Sequence, residues 1–186
     1  MRRGLLGRLA TLVSVVAVIA ACQENTPPPT IAGNPLADTA DQIMFGARSL
    51  ITNEGLLRAE LLADTAFFFN ENTRIEMFDV DLTFYTAQGS KSAVLVSREG
   101  TYNTRANRME ARGNVVVTSE DGRELRTEQL RYDQVRNEIS SDSAFVATER
   151  GGRRVQGVGF VSDPNMNNVR CLSSCSGVGG AVTVPQ

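Results

Sequence analysis

Histidine and tryptophan are absent from this 186-residue chain. Without histidine there is no Ser-His-Asp or Cys-His nucleophile and no His-rich zinc site. Cysteine is scarce, limited to Cys22, Cys171 and Cys175. A C-x3-C pair brings too few ligands for a metal centre and is wider than the usual C-x2-C redox spacing, so Cys171 and Cys175 read first as a local disulfide. No metal and no cofactor is expected. A basic excess is missing too, with 19 Lys and Arg against 21 Asp and Glu, which argues against a nucleic-acid or anionic-membrane surface as partner. No long window carries a 3.6-residue apolar period; Ala47 to Leu62 comes nearest, and Gly55 interrupts it.

One apolar run does exist, at the N-terminus. Arg2, Arg3 and Arg8 precede an apolar core from Leu9 to Val18, and Ile19-Ala20-Ala21-Cys22 follows. Positive start, apolar core and small residues are the three parts of an export signal. The ending resembles a lipobox, so residues 1–21 are expected to be a cleaved lipoprotein leader and Cys22 the lipidated residue that anchors the chain to a membrane. The alternative is an uncleaved signal anchor, but the run is shorter than the ~20 residues of a comfortable transmembrane span. Without the leader, 16 basic side chains face 21 acidic ones, and the remaining length suits one domain with a sizeable core. Residues 22–41, with Pro27, Pro28, Pro29 and Pro35, read as an extended tether.

The rest of the chain repeats itself. Apolar or small residues spaced x, x+2, x+5, x+7 occur as Leu61, Ala63, Ala66, Phe68; as Leu95, Ser97, Gly100, Tyr102; as Leu125, Thr127, Leu130, Tyr132; and, less cleanly, as Val155, Gly157, Phe160, Ser162. The copies are 34, 30 and 30 residues apart, the self-similarity of a stacked array. Inside each copy a period of two slips by one residue and resumes, which predicts a β-strand bent at a bulge that keeps its apolar side inward. A second strand fills each repeat: Ile75 and Met77 run into Val80, Leu82 and Phe84, Met109 and Ala111 into Val115 and Val117, Ile139 and Ser141 into Phe145 and Ala147.

Turn-forming clusters separate these strands at 70–73, 88–90, 103–107, 120–122, 133–137 and 149–152, which predicts antiparallel pairing of neighbours. The domain is expected to span 42–170, with 171–186 a flexible tail. The free edges are expected near Gln42 to Ser49 and near Arg153 to Val161.

The inward face mixes large residues (Leu61, Phe68, Leu95, Tyr102, Met109, Val115, Leu125, Leu130, Tyr132, Ile139, Phe145, Phe160) with small ones (Ala63, Ala66, Ser97, Gly100, Ala111, Thr127, Ser141, Gly157). Two readings fit. Small residues let two sheets close on a filled core, or they leave a groove for a long apolar ligand. Catalysis has weaker support. Asp79 and Asp81 share a strand face, and paired carboxylates can serve as acid and base, but Val80 and Leu82 take the inward face and leave the acids in water. Glu120-Asp121-Gly122 reads as a turn.

The ordered series Glu99-Gly100-Thr101-Tyr102-Asn103, Met109 through Val115, Asp121-Gly122, Leu125-x-Thr127-x-x-Leu130-x-Tyr132-Asp133, Asn137-x-Ile139-x-Ser141-Asp142 and Gly157-x-Gly159-Phe160-x-x-Asp163 resembles the LptC, LptA and OstA family of lipopolysaccharide export, over about Ala40 to Val169. A single domain behind an N-terminal anchor is most similar to LptC, with a lipobox here in place of a transmembrane helix. The resemblance implies an all-β, twisted antiparallel β-jellyroll with an apolar interior slot, lined by the inward residues above and taking lipid A acyl chains. The implied partners are lipopolysaccharide, the inner-membrane Lpt ABC transporter subunits and an LptA-like bridge protein stacked on a strand edge. It also implies that the chain is no enzyme. The location implied is the periplasm, on the inner membrane; Gln23 after the cysteine, in place of Asp, points instead to the outer one. A structural or adhesive β-domain of a surface lipoprotein is the competing reading.

Overall fold

The computed structural model describes residues 34–178. The expected leader, Cys22 and the tether as far as residue 33 lie outside the described residues, as do 179–186. The end of the tether is not extended. Residues 35–39 form a turn in which the Leu36 amide donates to Asn34 Oδ1 at 3.0 Å and the Ala40 amide to the Leu36 carbonyl at 3.0 Å.

Nine strands follow among the described residues: β1 (Gln42–Asn53), β2 (Leu56–Phe69), β3 (Arg74–Tyr85), β4 (Lys91–Asn103), β5 (Arg108–Ser119), β6 (Glu124–Asp133), β7 (Glu138–Thr148), β8 (Arg154–Ser162) and β9 (Arg170–Val178). They form one antiparallel sheet in sequence order, as the tight turns between alternating segments require. The helix-like stretch Ala47 to Leu62 is two strands joined through Glu54 and Gly55, both with positive φ.

The C-terminal boundary differs from the sequence expectation. Arg170–Val178 is a ninth strand rather than the start of a flexible tail, so β9 is the C-terminal edge, and Arg154–Ser162 lies inside the sheet, paired on both sides. The last apolar copy therefore lies within the sheet. Its Phe160 and Ser162 are buried beside β9.

Every strand carries a bend at a common level, and these bends line up across the sheet, while β1 and β3 shift register a second time, at Ile51/Thr52 and at Phe84/Tyr85. Pairing skips a residue or shifts register at Gly46, Asp64, Asp79, Arg98, Gly113-Asn114, Glu128, Asp142-Ser143, Gly159 and Ser174. Positive φ at Gly46, Asp79, Gly113, Asn114, Gly159 and Ser174 turns the chain there, in a region that glycine enters freely and Asn or Asp at modest cost. After the bend the period of two resumes, one residue out of phase where a single residue is skipped, as between Ala63 and Ala66 in β2, and in the same phase where two are skipped, as in β5 and β7. In β5, Met109 and Ala111 are buried before it, Val115 and Val117 after it.

The bend line folds the sheet over. We call the half carrying the β2–β3, β4–β5, β6–β7 and β8–β9 connections the upper half, and the other the lower half. Three contacts fix how they meet. Phe84, low on β3, packs edge-to-face on Tyr132, high on β6, with ring centroids 5.0 Å apart. Gln134 Nε2 in the β6–β7 turn donates to the Thr52 carbonyl at the low end of β1 at 3.1 Å. Arg123 Nη1, after the β5–β6 turn, donates to the Met166 carbonyl in the β8–β9 loop at 2.6 Å. At these contacts the upper ends of the later strands thus lie over strands about three or more places earlier. One contiguous apolar core, from Ile51 to Cys171, fills the space between the halves.

Candidate functional site

The interior of the folded sheet is where the apolar pattern converges. Leu61, Ala63, Ala66, Leu95, Met109, Ala111, Val115, Leu125, Leu130, Tyr132, Ile139, Phe145 and Phe160 are buried in that single core, and Phe68 and Tyr102 pack against it half-buried. Ser97, Gly100, Thr127 and Ser141 are buried on the same strands. Burial raises the pKa of the Tyr132 hydroxyl to about 12 and pushes that of Tyr102 up as well. Tyr132 donates to Asn137 Oδ1 at 3.1 Å, and Tyr102 to Gln134 Oε1 at 3.3 Å, so neither hydroxyl is orphaned.

The small positions are occupied. A Cβ added at Gly100 would lie 3.0 Å from Val80 Cγ2 and 3.4 Å from Met77 Cε. At Gly157 it would lie 2.4 Å from Cys171 Sγ and 2.9 Å from the Ser173 carbonyl. Cys171 and Cys175 are bonded to each other on either side of the Ser174 bend, with Cα atoms 6.0 Å apart, and the bridge fills the space that Gly157 leaves.

Three of the inward hydroxyls serve the bends. Ser97 donates to the Glu99 carbonyl at 3.0 Å, and Thr127 to the Ala144 and Gln129 carbonyls at 2.9 and 3.2 Å. Ser141 accepts from the Ser143 amide at 3.0 Å. Each pairs a backbone group near the slip in the ladder, which would otherwise be costly to bury. The space left between Met77, Val80, Leu95, Gly100 and Leu130 is about 20 Å³, roughly one water's worth. The halves are closed on one another.

The two ends of this interior differ. No described strand lies over the upper halves of β1 to β3, and there Met44 is 37% exposed while Phe68 and Ile75 are only partly covered. At the other end the β8–β9 loop folds in, and its Met166 is 4% exposed and part of the core. The alternating pattern gave no sign of Met166, which stands in an Asn-rich stretch after Pro164. Phe67 and Phe69 were missed for another reason. They flank Phe68 on the opposite face, buried, with Phe67 edge-on to Phe78 at 5.8 Å and the Arg74 guanidinium 4.2 Å above Phe69.

The carboxylates considered for acid-base work sit elsewhere. Asp79 is exposed at a bend, and Asp81 lies on the outer face between inward Val80 and Leu82. Asp121 accepts from Arg123 Nε at 2.9 Å and from the Ser119 hydroxyl, and these partners hold its carboxyl well below the usual range. It positions Arg123.

With that geometry in view, the family model "Lipopolysaccharide-assembly, LptC-related" matches residues 9–178, nearly the whole chain and all nine strands. The chain belongs to the LptC-related family. Among solved structures it is similar to LptH of Pseudomonas aeruginosa, described as the LptA-homologous periplasmic component of a lipopolysaccharide transport device. The match has 12% identity and a TM-score of 0.50, covering 66% of this chain and 95% of that one. That likeness supports the β-jellyroll fold. No curated protein matches the chain. As an LptC-related protein, this chain is built on the bent, folded-over sheet that its repeats encode, with β1 and β9 as its edge strands among the described residues.

Proposed function

We propose that this LptC-related chain is a periplasmic carrier in lipopolysaccharide export, tethered to a membrane through lipidated Cys22, that receives lipid A acyl chains between the halves of its sheet and passes them to the next bridge protein. The observation that carries this reading is the unbroken apolar face running from β1 to β9 inside a folded-over sheet whose first strands are left uncovered. Each methylene moved from water into such an interior contributes ~0.8 kcal/mol. An acidic protein can therefore hold an anionic glycolipid by its chains while the head group stays in solvent. Because the halves are closed, loading requires them to part, and the acyl chains replace contacts that the core residues make with each other.

The free edges suit the proposed partners. β1 offers unpaired backbone groups with Met44, Phe45 and Leu50 exposed, a surface for β-augmentation by an inner-membrane transporter subunit. β9, in place of the 153–161 segment, is the edge for an LptA-like bridge protein. The work is carriage rather than catalysis, driven by an ATPase elsewhere. The inner membrane is the anchoring site favoured here, and fractionation of the lipidated protein distinguishes it from the outer one.

The closed interior favours a second reading, a structural or adhesive lipoprotein domain with a permanently filled core. Photo-crosslinking separates the two. With a photoreactive residue at Tyr102, Met109 or Tyr132, a carrier crosslinks lipopolysaccharide in cells; absence of adducts from all three positions in folded protein leaves the structural reading standing.

A further inference from the structure

The two lips of the folded sheet meet along a seam, and the β8–β9 loop closes its C-terminal stretch. Residues 163–169 are drawn into a compact loop by Asp163, whose carboxylate accepts from the Asn165, Asn167 and Asn168 amides at 2.9, 3.4 and 3.2 Å. Met166 takes positive φ (56°) and sets its side chain into the core. From the opposite lip, Arg123 donates through Nη1 to the Met166 carbonyl at 2.6 Å and through Nη2 to Asn167 Oδ1 at 2.8 Å. Asp121 holds the same guanidinium from behind, with Nη2 and Oδ2 2.8 Å apart. Below the loop, Ser162 is 4% exposed on the inward face, and its Oγ has no protein hydrogen-bond partner among the described residues.

A buried hydroxyl without a partner disfavours the closed state, because it regains a partner when water or a polar ligand group reaches it. The seam at this point thus combines a latch, a stopper and a built-in bias toward opening. We propose that the β8–β9 loop is a gate on the interior, latched by Arg123 and stoppered by Met166, whose opening releases acyl chains toward the β9 edge and exposes Ser162 to an ester or amide oxygen of the passing glycolipid. This gate rests on the carrier reading above. The disulfide in β9, one residue beyond Arg170 and packed on Gly157, keeps the strand beside the loop fixed while the loop moves.

The test uses the full chain loaded with fluorescent lipopolysaccharide and follows its release to acceptor vesicles containing lipopolysaccharide. Arg123→Gln and Asn167→Ala weaken the latch and should speed release, the former by about tenfold, the worth of one charge-assisted hydrogen bond. Asn167 is exposed, so its variant keeps the fold even if Arg123→Gln does not. Ser162→Ala removes the orphaned hydroxyl and should slow release while raising the melting temperature. If lipid is bound and both latch variants release it at the wild-type rate, the gate is wrong and the carrier reading stands. If the wild-type chain takes up no lipid, the carrier reading falls and the gate with it.

Discussion

The N-terminal and C-terminal ends of the folded sheet are made from the same repeat and finished differently. At the N-terminal end the seam is crossed, among the described residues, by one neutral hydrogen bond, from Gln134 to the Thr52 carbonyl, and the inward residues of β1 to β3 are left partly open. At the C-terminal end it is crossed by two hydrogen bonds from one guanidinium, filled by Met166 and flanked by a disulfide. A charge-assisted bond is about twice as strong as a neutral one. The difference teaches that the repeat supplies the interior, whereas short non-repetitive additions decide how tightly each end is closed. Substitutions at the two ends should therefore not be equivalent.

The largest effect is expected at Gly157. A β-branched side chain there meets the Cys171 sulfur and the Ser173 carbonyl, and backbone cannot yield cheaply. Gly157→Val should cost about 3 kcal/mol, the upper range for overpacking, and detach β9, visible in denaturant unfolding and in amide exchange confined to β8 and β9. Wild-type stability with β9 still protected would show that the C-terminal end is not the tightly built one.

Next comes the contact that joins the N-terminal strands to the middle of the sheet. Tyr132 lies against Phe84, and its pKa is raised from 10.0 to about 12. The folded state keeps the proton that the unfolded state loses, so this stabilisation is complete below pH 10 and disappears as pH rises through about 12. Two units correspond to about 2–3 kcal/mol. Thermal melts across that window should fall steeply for the wild type and less for Tyr132→Phe. Equal slopes would remove Tyr132 as the cause.

Joint replacement of Cys171 and Cys175 by alanine tests the disulfide. A loop this short restrains little chain, so the chain-entropy scaling gives about 2 kcal/mol. The loss should appear as faster exchange in β9, with β1 unaffected. If β1 loosens equally, the two ends are coupled and the comparison fails.

The strands from β2 to β8 were legible because their inward residues are apolar and the slips leave a period of two on either side. The bends were legible as slips, but not the purpose of Ser97, Thr127 and Ser141. A small inward residue reads alike whether it opens a groove or bonds the backbone at a bend. β9 was hidden because Cys-Leu-Ser-Ser-Cys-Ser-Gly has no apolar alternation; pairing with β8 and the disulfide make it a strand. Met166 was hidden by its loop, since burial there depends on Arg123, more than forty residues away. The ends were harder to read than the middle because nothing repeats there.

The smallest effect is expected at Gly46, on the N-terminal edge, and it is the sharpest contrast with Gly157. Gly46 has φ of 59°, and a Cβ added there meets nothing within 4 Å. Its requirement is conformational rather than steric, and an alanine held in the left-handed region costs about 1 kcal/mol. Asparagine tolerates that region better, so Gly46→Asn should cost less than Gly46→Ala, an order that a steric site would not give. The readouts are the melting temperature and amide exchange across Met44 to Arg48, which should quicken because an edge strand has pairing on one side only. A Gly46→Ala penalty as large as that of Gly157→Val would mean that the N-terminal edge is as tightly determined as the C-terminal end. The uncovered faces of Met44, Phe68 and Ile75 would then need an explanation other than an end left open for a partner.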